Sequence, residues 1–374
     1  MSKIEISPLP QLSVLEERWR QLAAKSPHSF FLSWPWISTW LHCIPPTVKP
    51  QLLSVTAQGD LLAAAIIVKR TIWRHNLIPV KTWVLNATGD PRFDSICTEH
   101  NGLLASAQHE HAAWDEVLDH FLTHEKDWDE FQLDGVLPWL ADAWAKRGLA
   151  LRQSRLDVGR LLDLDRVRAS PNSSCIGILA PRVRTRVRHT LAAAERRFGP
   201  VVIAEPATLA EARGFFGELK ELHIKRWRNQ PYGDAFDTPF FERFHHELIE
   251  RCFADGCVQL ARVSAGPRTL GLLYNFVYQG RVSFYQSGIN YAAAERGDSL
   301  GLLVHALLID YNAKQGQAIY DMLAGDAQYK RALASITTSL WWGELQAARR
   351  KLRAEGFVTS GLQALRTAVR QLLG

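Results

Sequence analysis

The sequence predicts an α/β (α+β) protein in two lobes, and three observations lead there. A chain of 374 residues and 42.2 kDa exceeds the ~100–200 residues that one compact core ordinarily serves. Hydrophobic residues at 47% against charged residues at 22% are the balance of a folded chain and exclude disorder. Each half also reads in the same coarse order: helices, a meander of strands, a helix, then more strands. The polar run RASPNSSC at 168–175 is the strongest loop or linker candidate between them. Lobes are therefore expected over 1–164 and 165–374.

In the first half, Leu12–Ala24 has the apolar spacing of an amphipathic helix. A Trp-rich element, FLSWPWISTWLHCIPP, follows and stops at Pro45 and Pro46. Gln51–Ala57 alternates, Gln58-Gly59-Asp60 turns the chain, and Leu61–Ile72 returns as a strand. Its stretch Leu61–Val68 is the most apolar of the chain, but eight residues fall short of the ~20 of a membrane span. Lys81–Leu85 reads as a further strand, Ala107–Glu125 as a helix and Asp129–Asp134 as a strand. Pro138–Gly148 is a helix with proline in its first turn. Strands Leu149–Arg155 and Gly159–Leu164 close the half.

The second half opens on Pro181–Phe198, a helix with six arginines and one acid. Strand Val201–Ala204, a long helix Leu209–Arg228, the loop 229–239 and a helix Phe240–Phe253 follow. Strands Val258–Val263, Thr269–Tyr278 and Arg281–Ile289 precede helix Ser299–Lys314, strand Ala318–Met322 and helix Asp326–Leu333. A last strand, Ser335–Trp342, leads into basic C-terminal helices.

Charge and cysteine usage narrow the classes. Lys plus Arg number 44 against 38 for Asp plus Glu, a net +6. That excess permits an anionic partner (a phosphate-bearing cofactor, RNA, an anionic membrane surface) without being histone-like. Cys43, Cys97, Cys175, Cys252 and Cys257 are scattered, and one close pair is too little for a zinc site. His245-His246-Glu247 and His109-Glu110-His111 lack the HExxH spacing, since adjacent helix residues point ~100° apart. No metal is expected. The N-terminus has no apolar run of signal-peptide length, so a cytoplasmic chain of reduced thiols without a transmembrane segment is expected. Trp34, Trp36 and Trp40 are read as core.

The chemistry concentrates in 269–333. Arg296-Gly297-Asp298-Ser299-Leu300-Gly301 is a glycine-bearing loop that opens a helix. Unpaired N–H groups at the positive end of a helix dipole form a ready pyrophosphate site, and glycine lets the backbone approach it. The alternative is that Ser299 simply caps the helix.

This stretch resembles the acetyl-coenzyme A site of the GNAT acyltransferases, whose loop reads Arg/Gln-x-x-Gly-x-Gly/Ala after the fourth strand. Arg296, Ser299 and Gly301 hold the patterned positions, with serine in place of the middle glycine. The nearer resemblance is to the cellulose-biosynthesis CelD/BcsL-like acetyltransferases. It rests on Leu222-His223-Ile224-Lys225-Arg226-Trp227, Ser287-Gly288, Tyr320-Asp321 and Gly325-Asp326-Ala327-Gln328-Tyr329-Lys330, and more loosely on Phe31-Leu32-Ser33-Trp34-Pro35-Trp36. It covers about 210–335 clearly. Members resemble the FemAB-type transferases, which implies tandem GNAT-like lobes, each a mixed, mostly antiparallel sheet flanked by helices.

The resemblance implies acyl transfer from acetyl- or another acyl-coenzyme A to an amine or hydroxyl. Plausible acceptors are a small molecule, a sugar or an exopolysaccharide precursor. Gln286, Ser287, Gly288 and Ile289 would line the splayed strand end, and Arg296, Gly297, Asp298, Ser299, Leu300 and Gly301 the pyrophosphate loop. Tyr329 would protonate the leaving thiolate, or else pack its helix. Lys330 would bind phosphate or polarise the carbonyl, or else be a solvated lysine. Asp321, in an apolar strand, needs a partner; it orients the acceptor, acts as base, or forms a structural ion pair. His223 is a candidate base or a packing residue. Two alternatives keep different functions open: an aminoacyl-tRNA donor, for which the arginine helix would have work, and a non-catalytic accessory of exopolysaccharide synthesis. The oligomeric state is not legible in the sequence.

Overall fold

A computed structural model of the chain describes residues 2–227 and 235–355. Arg228, most of the expected 229–239 loop and most of the expected C-terminal helical region lie outside them. One continuous sheet of thirteen strands organises the chain. Its first half carries β1 (Lys3–Pro8), β2 (Pro50–Ala57), β3 (Asp60–Arg74), β4 (Ile78–Leu85), the short β5 (Leu104–Ala105), β6 (Glu130–Val136) and β7 (Ala150–Asp163). The second half carries β8 (Val201–Ala204), β9 (Val258–Ala265), β10 (Arg268–Tyr278), β11 (Arg281–Ile289), β12 (Ile319–Ala324) and β13 (Ile336–Gln346).

The spatial order is β1-β2-β3-β4-β6-β13-β7-β12-β11-β10-β9-β8. Every adjacent pair on this path is antiparallel except β4 with β6 and β11 with β12. The two halves thus repeat one plan, a meander of four strands followed by a parallel fifth, and the sheet is mixed and mostly antiparallel. They are joined by exchange. β7 leaves its own half to pair with β12, and β13 returns to pair with β6. β7 and β13 then pair with each other from Ile336↔Leu161 to Gln346↔Ala150. That long ladder explains one difference from expectation: Leu149–Arg155 and Gly159–Leu164 are not two strands but the single β7. Between them Leu156, Asp157 and Val158 include no glycine or proline, and all three are paired to β13. The edge strand β1, unassigned in the sequence, pairs with β2.

The helices are α1 (Leu12–Ala23), α2 (Trp34–Cys43), α3 (Glu110–Thr123), α4 (Pro138–Ala145), α5 (Leu164–Arg168) and α6 (Cys175–Ile178) in the first stretch. They continue with α7 (Pro181–Phe198), α8 (Leu209–Trp227), α9 (Pro239–Cys252), α10 (Leu300–Lys314) and α11 (Gln328–Leu333). Three apolar clusters hold them to the sheet. One is shared between halves: Trp36 on α2 stands 4.8 Å edge-on to Phe244 of α9 and 6.2 Å from Tyr285 of β11. Trp34, Trp36 and Trp40 are buried there as core. Aromatic pairs of this kind add ~0.5–1.5 kcal/mol beyond area burial, so the halves are fastened by α2 as well as by strand exchange. The polar run 168–175 is not an open linker: the Ser174 hydroxyl donates to Asp310 of α10 at 2.7 Å, and Cys175 is buried. No helix of the described residues is long and apolar enough to cross a membrane.

Candidate active site

The site begins where two parallel strands part. β11 and β12 pair only through Arg281↔Ile319, Val282↔Tyr320 and Ser283↔Asp321. Beyond that point β11 stays with β10, while β12 bends to β7 at Ala324↔Gly159. The bend has a local cause. Leu323 takes φ 56° and Gly325 φ 106°, and the latter is open to glycine but strained for any other residue. Asp321 Oδ1 accepts from Leu323 N at 2.8 Å, and Glu99 accepts from Ala324 N at 2.7 Å. Lys330 Nζ donates to the Leu323 and Ala324 carbonyls. The backbone groups freed by the splay are thus held by side chains.

Opposite this wedge lies a cleft of about 470 Å³, with Ser287 and Ile289 on one wall and Ala327 and Tyr329 on the other. The start of α10, from Asp298 to Leu302, forms its floor. No side chain caps α10 among the described residues, so its first N–H groups are open to a ligand. Helix α7 tethers the preceding loop: Arg197 pairs with Asp298 at 2.6 Å, and Ser299 N donates to Thr190 at 3.0 Å. The Arg197 charge neutralises the buried Asp298, which would otherwise repel an anion. Gly301 carries no strain, and a Cβ added there meets only the Tyr291 hydroxyl at 3.9 Å. Arg186 and Arg226 stand in the lining, both exposed, and the Arg226 guanidinium lies 5.0 Å over the Tyr291 ring.

The candidates from the sequence do not all meet in this cleft. Ser287, Ile289, Asp298, Ser299, Leu300, Gly301 and Tyr329 meet in the cleft. Arg296 and Gly297 are exposed on the loop before it, with Gly297 at φ 96°. Gly288 serves packing, since a Cβ there would sit 2.6 Å from Leu219 O and 3.0 Å from Leu222 Cβ of α8. Gln286, one residue along the strand from Ser287, is half-buried outside the cleft lining. His223, buried on α8, donates Nδ1–H to the Ser287 carbonyl at 3.0 Å, just behind the wall.

Asp321 and Lys330 face the other side of the wedge. Asp321 is fully buried, 2.9 Å from Arg281 and 3.0 Å from His100. Burial alone would raise its pKa, but His100, Arg281 and the Leu323 N–H more than offset that and hold it below the ordinary carboxylate value. Lys330 is lowered by burial, against the pull of Glu99 and Asp321. Glu99 is raised by burial. Glu99 also lines a second cavity of about 360 Å³, built from the first half and Trp342 of β13, with Asp94, Asp134 and Arg155. Burial pushes Asp94 and Asp134 up to about 6. Tyr329 is raised by burial, so its phenol keeps its proton. Among the described residues no group of three or more His, Cys, Asp or Glu could hold a metal ion.

Sequence reasoning missed Glu99 and His305. Glu99 lies 225 residues from its partner Ala324, and no spacing signals that contact. His305 is a lone histidine in the apolar helix α10.

Splayed parallel strands, an uncapped helix start and a buried tyrosine thus meet at one cleft. Residues 181–331 match the family model described as acetyltransferase (GNAT) domain. No curated protein matches the chain. Among solved structures it is similar to FemX, at TM-score 0.56 and 9% identity over 90% of this chain and 96% of that one. It is also similar to L-PGS from Bacillus licheniformis, at TM-score 0.50 and 9% identity over 92% and 95% of the two chains. A conserved protein of unknown function from Bacteroides thetaiotaomicron aligns at TM-score 0.51 and 8% identity over 92% and 100%. At these identities the likeness is one of fold.

Proposed function

We propose that the chain moves an acyl group from coenzyme A to an amine or hydroxyl acceptor. The observation that carries this is the cleft at the β11/β12 splay, which unites the α10 N-terminus with Tyr329. In this reading residues 165–374 bind the donor and residues 1–164 contribute to the acceptor site. The pyrophosphate lies on the N–H groups of Leu300 and Gly301, with Arg186 and Arg226 screening its charge. The thioester enters the wedge and the acceptor approaches through the cavity containing Glu99, whose carboxylate already touches Ala324 N. An acidic, partly aromatic cavity suits an amine- or hydroxyl-bearing acceptor such as an amino sugar, in keeping with the CelD/BcsL-like resemblance and a cytoplasmic role in exopolysaccharide synthesis. Asp321 and Lys330 then act by holding the splay rather than by touching substrate. Coenzyme A at 100 times its dissociation constant should stabilise the protein by ~2.7 kcal/mol. A thermal-shift titration with coenzyme A and acetyl-coenzyme A measures this, and no shift with either removes the donor assignment.

A second reading, an aminoacyl-tRNA donor, is favoured by one observation. Arg182, Arg186 and Arg188 of α7 are exposed, with Arg186 at the cleft, and the fold extends along FemX. Arg184 and Arg197 are engaged instead, with the Leu179 carbonyl and with Asp298. If tRNA is the donor, its binding weakens steeply with salt. Changing Arg182, Arg186 and Arg188 to Gln should then flatten the log–log slope by about 2–3. Binding no stronger than to an unrelated RNA eliminates this donor.

A further inference from the structure

We infer that His305 is a neutral hydrogen-bond donor of the cleft, its Nε2–H directed at an amide carbonyl oxygen on the arm of coenzyme A. The inference rests on the coenzyme A reading above. His305 is 2% exposed yet forms part of the cleft lining. Its ring is clamped, stacked on Tyr329 at 4.9 Å and 17° and edge-on to Phe284 at 4.5 Å and 87°. Neither ring nitrogen has a hydrogen-bond partner among the described residues, and Nδ1 is sealed from solvent. A buried polar atom left unpaired costs ~1–3 kcal/mol, a cost that phenylalanine at this position would avoid.

The geometry also selects the tautomer. An orphaned buried N–H is rarer than an orphaned acceptor, which puts the proton on Nε2, the nitrogen on the cleft side. Burial, with the nearby Lys330 charge, lowers the pKa to about 3. The imidazole is therefore uncharged at working pH and cannot titrate away. A fixed neutral N–H of this kind polarises a carbonyl without bringing a charge into the site. The arm of coenzyme A offers amide carbonyls, whereas its adenosine bisphosphate end offers none.

The test is calorimetric titration with coenzyme A and, separately, with the arm-less adenosine bisphosphate. His305→Phe keeps the stacked ring and removes both nitrogens. It should weaken coenzyme A about tenfold and leave the arm-less nucleotide unchanged, while His305→Gln, which restores an N–H, should recover most of the loss. Equal coenzyme A affinity in His305→Phe and the parent overturns the inference but leaves the donor assignment standing. A parent that binds no coenzyme A overturns both. Nitrogen NMR of the parent gives an independent reading whatever the variants' folding. His305 should carry its proton on Nε2, and that proton should move downfield when coenzyme A is added. A proton on Nδ1, or no response, also overturns it.

Discussion

Tyr329→Phe is expected to lower kcat by about 10²–10⁴-fold, the usual worth of a positioned acid. Tyr329 stands in the cleft with Ser299–Leu302. Burial raises its pKa above the ordinary phenol value. The sign follows: a raised folded pKa keeps the phenol protonated through neutrality, so the acid is fully present there. A fall in rate from its ionisation belongs only above the ordinary phenol range, and none should arise from Tyr329 near neutral pH. Donor affinity should change little, because the proton is delivered in the transition state. The stacking on His305 and contact with Phe284 survive in phenylalanine, so melting temperature should hold. Steady-state kinetics with acetyl-coenzyme A and a competent amine make the measurement. Parental turnover in Tyr329→Phe would reassign the tyrosine to packing.

Gly301→Val should abolish coenzyme A binding without harming the fold. The residue lies in the first turn of α10, outside the positive-φ region, and an added Cβ meets nothing closer than 3.9 Å. Valine is also a better helix residue than glycine by a few tenths of a kcal/mol. The unliganded protein should therefore melt no lower than the parent. Its isopropyl group, however, fills the space through which a phosphate reaches the N–H groups of that turn. The ~2.7 kcal/mol ligand stabilisation expected of the parent at saturating coenzyme A should vanish. Retained stabilisation would place the pyrophosphate elsewhere.

Much of this site was legible in the residues. The loop 296–301 opens a helix because Gly297 and Gly301 bracket the cap position, and α10 begins at Leu300. The short path from β12 through Gly325 to α11 depends on a glycine that takes φ 106°, so Tyr329 was bound to return near its strand. Asp321 had to be paired because an isolated carboxylate in an apolar strand is too costly.

Local sequence determined the helices, most strands, the loop that opens α10 and the tyrosine near it, because each depends on contacts within a few residues. Tertiary structure decided the rest. The partners of Asp321 are Arg281, from the neighbouring strand, and His100, from the other half of the chain. Glu99 reaches Ala324 across 225 residues. β7 and β13 exchange halves through ladders that either strand's pattern would equally allow within its own half. His305 becomes a cleft residue only because α10 packs it beneath Tyr329. Those contacts arise from which surfaces meet when the shared core closes, and no periodicity or spacing along the chain encodes that meeting.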